Sequence, residues 1–584
     1  MSFKDKLREA YISVKRGGLP LLVLKTSAKI SGHRNLPYDR WRKFYEPSSK
    51  QLKNMKPAQK GSGNDAGGSS LKSERPFFTV MLLCENASDV EIGRTVNSIE
   101  EQVCRDFNIL YYKDRSEMPD LKNDHIVIVT AGDELRKDAL YELSSLLMRK
   151  PDYSAVYCDE DFYDSDRKRK ISPLFKPDYS PDYLMSCNYI RSLLMVKRSL
   201  FEACGGFDAD CSMPASMYDL ILKCSEKAGK IYHIDKCLNT IKSTAVLKEA
   251  DTPENTAMCK DALLRHLSRL NIHADVEVNE YKTSGFYTKG YSLRYDVDED
   301  ELISIVIPNK DHIDDLAACI ESIHKQDYEN YEIIIVENNS VDDRTFEYYE
   351  TIGQTDRRIR VLKYEENGAG GIRPEFNYSK INNYGVRSAR GEYVLLLNND
   401  TCMISHDVLR QLVGPMCRNE VGIVGAKLMF DDDTLQHAGV LLGPGGGAAH
   451  AFYKQDAKEA LYMNRNNLTQ NYSAVTAACL MVKKDLYDMV GGFEEALRVA
   501  YNDVDFCLKI RDLGKLVIYN PNAVLYHYES KSRGADDMSE EKRARFEQEK
   551  TYLLGKWSEC FARDPYYNIN LTRDFADFGL REIR

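Results

Sequence analysis

At 584 residues the chain is long enough for three or four domains of about 150 residues each, and 43% apolar with 29% charged residues is ordinary globular material, which excludes collagen, a coiled-coil rod and wholesale disorder. Its 80 Lys and Arg against 90 Asp and Glu give a net charge of -10, the wrong sign for general nucleic-acid binding, which needs a basic footprint. The 15 cysteines are odd in number and never form CxxC, so neither a disulfide framework nor a zinc finger is indicated and a reducing cytosol is the expected setting.

Along the chain, residues 1–55 form a basic N-terminal segment. Residues 1–30 carry a local excess of five positive charges, and Phe3, Leu7, Ala10, Tyr11 and Val14 recur at helical spacing. Such a face can lie on an anionic membrane surface, or it can be an ordinary packed helix. The apolar stretch Leu19 to Leu24 is broken by Pro20 and is far too short to cross a bilayer or to serve as a secretory core. Residues 56–75, rich in Gly and Ser, have the composition of a flexible tether. A first α/β domain is expected over 76–245, beginning with the strand Phe77–Leu83 and a helix Val90–Val103 that turns Ile92, Val96 and Ile99 to one face. A mainly helical connector is expected over 246–300, closed by the acidic turn Asp296–Asp300.

From Leu302 the pattern alternates strand and helix: LISIVI, a helix with Leu316, Cys319, Ile320 and Ile323 on one face, EIIIV, RVLKY, a helix near Pro374–Ala389, and YVLLL. Continuous apolar strands between amphipathic helices predict a mostly parallel sheet covered on both faces, in a domain spanning 301–535, with ligands beyond the strand carboxyl ends. A helical tail is expected over 536–584. An internal repeat ties the two α/β regions together. LLMVKRSLFEACGGF and CLMVKKDLYDMVGGF align without a gap 286 residues apart, and Asp219 and Asp505 each stand 12 residues after the repeat's phenylalanine. The fold class is therefore α/β, with two related domains in tandem.

Three segments of the second domain carry chemistry. YVLLL ends in Asn398-Asn399-Asp400, which alone also reads as a solvated Asx turn. Asn502-Asp503-Val504-Asp505 opens a helix, and His527 lies in YHYESKSRG after a further strand. Together with IPNK at Ile307–Lys310 and VENNS at Val336–Ser340, these segments resemble, in order over about 230 residues, a family 2 glycosyltransferase of the GT-A fold. The glycines at 368–371 and 443–447 make neither a P-loop nor a dinucleotide fingerprint.

The resemblance implies an inverting, metal-dependent transfer of a sugar from a UDP- or dTDP-linked donor to a hydroxyl of a growing cell-surface glycan, or of a lipid-linked glycan, at the inner face of the plasma membrane. It makes Asp503 the general base, with Asp400 and His527 as ligands of Mn²⁺ or Mg²⁺. Pro308, Asn309, Glu337, Asn382, Asn398 and Asn399 become donor-binding residues, Glu337 by meeting the N–H of a uracil or thymine base. Asn377, Ser379 and Asn383 share a helix start with Asn382, suited either to phosphates or to capping. Family members often carry Asp where Asn398 stands, so Asp400 is the dependable anionic ligand. Asp505 reads as a structural or capping acid, Asp431–Asp433 as a solvated turn, and His437 as a core or acceptor-side histidine. In the first domain Met217 takes the aligned place of Asp503, and Lys236–Thr240 offers no histidine, which predicts a degenerate transferase domain. The competing readings are a catalytically silent glycan-binding or assembly scaffold and a nucleotidyltransferase; the latter leaves the Asp503 and YHYESKSRG segments without a use.

Overall fold

A computed structural model describes residues 38–55, 75–115, 118–164, 169–241, 252–281, 289–365, 376–528 and 539–583. The basic segment 1–30, the tether, the glycines at 368–371 and the end of YHYESKSRG lie outside these residues. The chain divides into two units. The first comprises Met1–Tyr179, Ile190–Cys259 and Asn568–Arg584, and the second Ser180–Tyr189 and Lys260–Tyr567. Among the described residues no helix is long and apolar enough to cross a membrane.

The sheet of the first unit runs, naming each strand by its first residue, Phe107, Phe78, His125, Leu194, Ala155, Ile231, Glu134. The sheet of the second runs Ile359, Tyr331, Ile303, Tyr393, Cys479, Val421, Leu516, Thr401. Apart from the additional edge strand at Ile359, the order is the same, and so is the sense of every pairing. The first three shared strands are parallel, and the strand carrying the repeat (Leu194–Lys197 or Cys479–Lys483) runs antiparallel to both neighbours. The next pair is parallel and the last antiparallel. The sheets are thus mixed: the parallel half follows the alternating pattern read from sequence, and the antiparallel strand lies in the repeat itself.

Each core follows from strand alternation and one helix face. In the second unit Ile303, Ile305 and Ile307 pack on Leu316, Cys319, Ile320 and Ile323 of the helix Ile313–His324. In the first, Phe78 and Val80 pack with Ile99 of the helix Asp89–Glu100. The repeat is a helix stop. Gly205 and Gly206 have φ of 77° and 67°, Gly491 and Gly492 have 75° and 67°, and in each pair the glycine N–H groups bond the carbonyls of the preceding helical turn. At Gly492 a Cβ would stand 2.5 Å from Asn383 Oδ1, so that position needs glycine for space as well as for φ.

Three boundaries differ from expectation. The connector holds the helix Pro253–Arg269, but it continues as an antiparallel hairpin, Ala274–Glu280 with Lys289–Tyr295. Only Val276 and Tyr291 of that hairpin bury apolar side chains, so its period-2 signal is faint against its charges. The unit boundary falls inside the helix. The tail is helical only over Glu540–Lys556 and Ser558–Ala562, after which the chain joins the first unit, where Asn568 Nδ2 donates to Asp159 Oδ2 at 3.0 Å and Trp41 Nε1 donates to the Arg581 carbonyl at 3.1 Å.

Candidate active site

The carboxyl edge of the second sheet collects the residues named from sequence. Strand Ile303–Asn309 is in register with Tyr331–Glu337, so Asn309 stands opposite Glu337, and the neighbouring strand Tyr393–Leu397 delivers Asn398, Asn399 and Asp400 to the same edge. Asn399 Nδ2 donates to Asn309 Oδ1 at 2.7 Å, and Asn309 Nδ2 donates to the Tyr349 hydroxyl at 2.7 Å. Pro308 is half-buried beside them.

Thr401, directly after Asp400, pairs in the ladder with His527. His527 Nε2 lies 3.1 Å from Asp400 Oδ1 and 3.1 Å from Asn398 Nδ2, while Nδ1 lies 2.5 Å from Gln436 Oε1. The Gln436 amide nitrogen donates to the His527 carbonyl at 3.3 Å, so its oxygen is the atom that faces the ring and Nδ1 carries the proton. The Nε2 lone pair is thereby aimed at the Asn398 and Asp400 side. A histidine tautomer fixed by an outer partner, next to a carboxylate oxygen, is the usual preparation of a two-residue metal site. The donor set suits a hard or borderline divalent cation completed by substrate phosphates. Among the described residues no group of three or more His, Cys, Asp or Glu side chains gathers as a metal cage, and Asp400 with His527 is the pair at this edge.

Asp503 is the second residue of the helix Asn502–Asp512, entered through Tyr501 in the left-handed region at φ 62°. Its Oδ2 accepts from the Ala477 N–H at 3.3 Å and its Oδ1 from the Val504 N–H at 2.8 Å. The single proton of the Tyr378 hydroxyl is shared between the Ala477 carbonyl at 3.1 Å and Asn398 Oδ1 at 3.0 Å. A continuous hydrogen-bonded path therefore runs from Asp503 through Ala477, Tyr378 and Asn398 to His527 and Asp400. Asp503 remains half-buried, whereas Asp505 is buried and held by Lys556 Nζ at 2.7 Å and Trp557 Nε1 at 2.8 Å. Asp505 is an anchor for the C-terminal helix, as its spacing suggested, although Tyr501 and not an acid occupies the cap.

Two sequence expectations need correction. Glu337 does not present an open carboxylate to a base: Oε1 accepts from the Ser340 N–H at 2.5 Å, Oε2 accepts from the Ser340 and Tyr349 hydroxyls at 2.6 and 2.8 Å, and the side chain is buried. A side chain one methylene longer than Asp reaches back to its own turn. Asn382 does not face phosphates either. It is buried in the fifth position of the helix Tyr378–Arg387 and donates back to the Tyr378 carbonyl at 2.9 Å. Its neighbours grip the loop before Asp503 instead: Asn377 Nδ2 donates to the Glu495 carbonyl at 2.9 Å, Ser379 Oγ to that of Leu497, and Asn383 Nδ2 to that of Phe493 at 3.0 Å. His437 is buried; burial first, then His450 and His527, hold its ring well below the usual 6.5, which makes it a neutral core residue. Asp432 and Asp433 form a turn, with Asp432 Oδ1 accepting from the Thr434 N–H at 3.0 Å.

Sequence reasoning missed Gln436 and Tyr378. Gln436 sits on the three-residue strand Leu435–His437, which leaves no periodic signal, and Tyr378 looks like any aromatic in a first helical turn.

Residues 304–489 match the family model for glycosyl transferase family 2. The O-antigen biosynthesis protein RfbC of Myxococcus xanthus is 30% identical over 555 residues, covering 87% of this chain and 41% of the relative. An uncharacterized protein of Sinorhizobium fredii, y4gI, is 36% identical over 522 residues, covering 87% of this chain and 56% of its own. A shorter likeness, 28% over 127 residues, 22% of this chain and 45% of the relative, links it to the UDP-Glc:alpha-D-GlcNAc-diphosphoundecaprenol beta-1,3-glucosyltransferase WfgD of Escherichia coli. The chain spans about half the length of the curated relatives it matches.

Proposed function

The chain carries a glycosyl transferase family 2 domain over residues 304–489, and from that premise we propose that its second unit transfers a sugar from a nucleotide-sugar donor, UDP- or dTDP-linked, to a hydroxyl of a growing cell-surface glycan or its lipid-linked precursor, with inversion. The observation that carries the reading is the hydrogen-bonded path from Asp503 to Asp400 and His527, which joins a half-buried carboxylate to a prepared pair of metal ligands. The likeness to an O-antigen biosynthesis protein and to a diphosphoundecaprenol-linked-sugar glucosyltransferase supports the acceptor class.

Inversion asks for one base on the acceptor side and charge stabilisation on the leaving-group side. Asp503 takes the acceptor hydroxyl proton on Oδ2, where its present partner is a single long contact from the Ala477 N–H. Asp400 and His527 would hold Mn²⁺ or Mg²⁺, which would supply positive charge against the departing diphosphate. Gln436 keeps His527 Nε2 unprotonated for that role, and Asn399 and Asn309 fix the donor-side edge. Glu337 holds the turn at Ser340 on the donor-side edge. The basic segment 1–30 supplies contact with the inner face of the plasma membrane.

The test is hydrolysis and transfer with a panel of UDP- and dTDP-sugars, with Mn²⁺, with Mg²⁺ and with neither. Metal-stimulated hydrolysis of at least one donor is expected. Donor binding without turnover under every condition would leave the silent scaffold.

A further inference from the structure

A second polar cavity lies within the second unit, on the reverse side of the strand that carries His527. Strand Leu516–His527 alternates at its end: residues 521, 523, 525 and 527 are buried, and 522, 524, 526 and 528 are half-exposed. Asn522, Val524 and Tyr526 thus form one wall of a cavity of about 580 Å³, closed on the other side by the hairpin through Ser292, Leu293 and Arg294. That volume is within the ~300–1,000 Å³ of small-molecule sites.

Its chemistry is selective. Leu293, Ile404, Met429 and Val524 give an apolar floor, on which Ile404 is 47% exposed, unusual for a residue of its size at a strand end. Tyr526 adds an aromatic face, stacked on Tyr528 at 6.2 Å between ring centroids. Its hydroxyl is fixed, donating to Asp433 Oδ1 at 2.6 Å. The charged lining comprises three acids and two bases, and both bases are already paired. Lys458 lies 2.8 Å from Asp433, and Arg294 lies 3.7 Å from Asp407 and 3.8 Å from Glu277. No base is left over for a phosphate, so a nucleotide or other polyanion is a poor match. The uncharged polar groups are pre-set as well: the Gln411 amide donates to Asp407 Oδ2 at 3.0 Å, and Ser292 Oγ donates to Asn522 Oδ1 at 3.4 Å. Fixed carboxylate and amide groups above an apolar and aromatic floor match a ligand with hydroxyls around its edge and C–H groups on its face.

We propose that this trough binds a neutral oligosaccharide segment, the part of the growing glycan already built. The proposal rests on the acceptor class given above. Position supports it, because the wall residues Asn522, Val524 and Tyr526 belong to the strand that ends at His527, so the trough and the candidate site share one strand end. Held there, a glycan stays with the protein between transfers.

The test uses the full chain and a pooled set of neutral hexasaccharides of the malto, cello, xylo and manno series, with tripolyphosphate as the anionic control, by saturation-transfer NMR. Saturation transfer to at least one series is expected, with none to tripolyphosphate in the absence of metal. Ile404→Trp, at an exposed position that adds bulk to the floor, and Asn522→Ala should each weaken that binding at least tenfold while leaving metal-stimulated donor hydrolysis unchanged. Absence of binding to every series, or binding unaltered in both variants, would overturn the trough as a glycan site. Loss of donor hydrolysis in the unaltered chain would instead overturn the transferase reading, since the NMR measurement does not depend on turnover.

Discussion

The two units share a strand order and a helix stop, and they diverge at three equivalent positions. Asp133 precedes the edge strand Glu134–Leu135 as Asp400 precedes Thr401–Met403, so the acid at the proposed metal position exists in both. In the first unit it is buried under Asn239 and Ser192 and pushed up to about 7, by burial first. Asn239 Nδ2 reaches it at 3.0 Å. Where Thr401 pairs with His527, Glu134 pairs with Thr240, so the imidazole is missing. Where Asp503 stands, Met217 is buried. A fourth equivalent position shows what the shared fold itself needs: Asp219 and Asp505 each pair with a lysine four residues on, Lys223 at 2.6 Å and Lys509 at 3.5 Å. The repeat thus preserves the acid that holds a helix and loses the proposed base and the imidazole beside the proposed metal ligand. A carboxylate kept at the metal position but covered by an amide is a scaffold residue.

That contrast can be broken most sharply at the base. Asp503→Asn should lower turnover by about 10² or more, the scale of general-base loss, with nucleotide binding intact. Met217→Leu should leave turnover within about twofold, far inside that scale. Steady-state transfer assays decide it, and an equal loss in both would make the first unit a second active site. At the metal position, Asp400→Ala should abolish Mn²⁺-dependent binding of a nucleoside diphosphate by calorimetry, whereas Asp133→Asn should leave it unchanged. Gln436→Ala should weaken Mn²⁺ affinity by about 10-fold, the lower end for an outer partner of a histidine ligand, and Thr240→Ala should do nothing to it.

The smallest expected effect separates the units by stability. His233 in the first unit is buried between Asp159 and Asp178, at 2.8 and 3.2 Å. Burial alone would lower its pKa, but the two carboxylates outweigh it and raise it to about 9. With the folded value above the unfolded one, this contribution is complete below about pH 6.5 and is lost as pH rises through about 9. Asp133, raised to about 7, loses its contribution between about pH 4 and 7, in the same direction. Thermal melts of the full chain should therefore show the first unit's transition falling by several degrees from pH 6.5 to 9, and His233→Gln should flatten that slope.

What the sequence determined by itself is what short-range physics can write into neighbouring residues. Alternating apolar strands and one-sided helices specified two α/β sheets. The gapless repeat declared their kinship and, through Met217 against Asp503, their difference. The order of NND, the Asp503 helix start and the His527 strand carried the family. Tertiary structure decided how those side chains are spent. Glu337 and Asn382 stand where the motif puts them, yet the Glu337 oxygens are taken by Ser340 and Tyr349 and the Asn382 amide nitrogen by the Tyr378 carbonyl, the nearest partners the fold offers these buried groups. Gln436, which sets the tautomer of His527, and Tyr378, which links Asn398 to Ala477, are separated from their partners by 91 and 99 residues of chain. The hairpin carried too few buried apolar side chains to announce its period, and the return of Asn568 to the first unit depends on a contact spanning 409 residues. Pairings of that separation are set only when the sheets close, so no local pattern could have shown them.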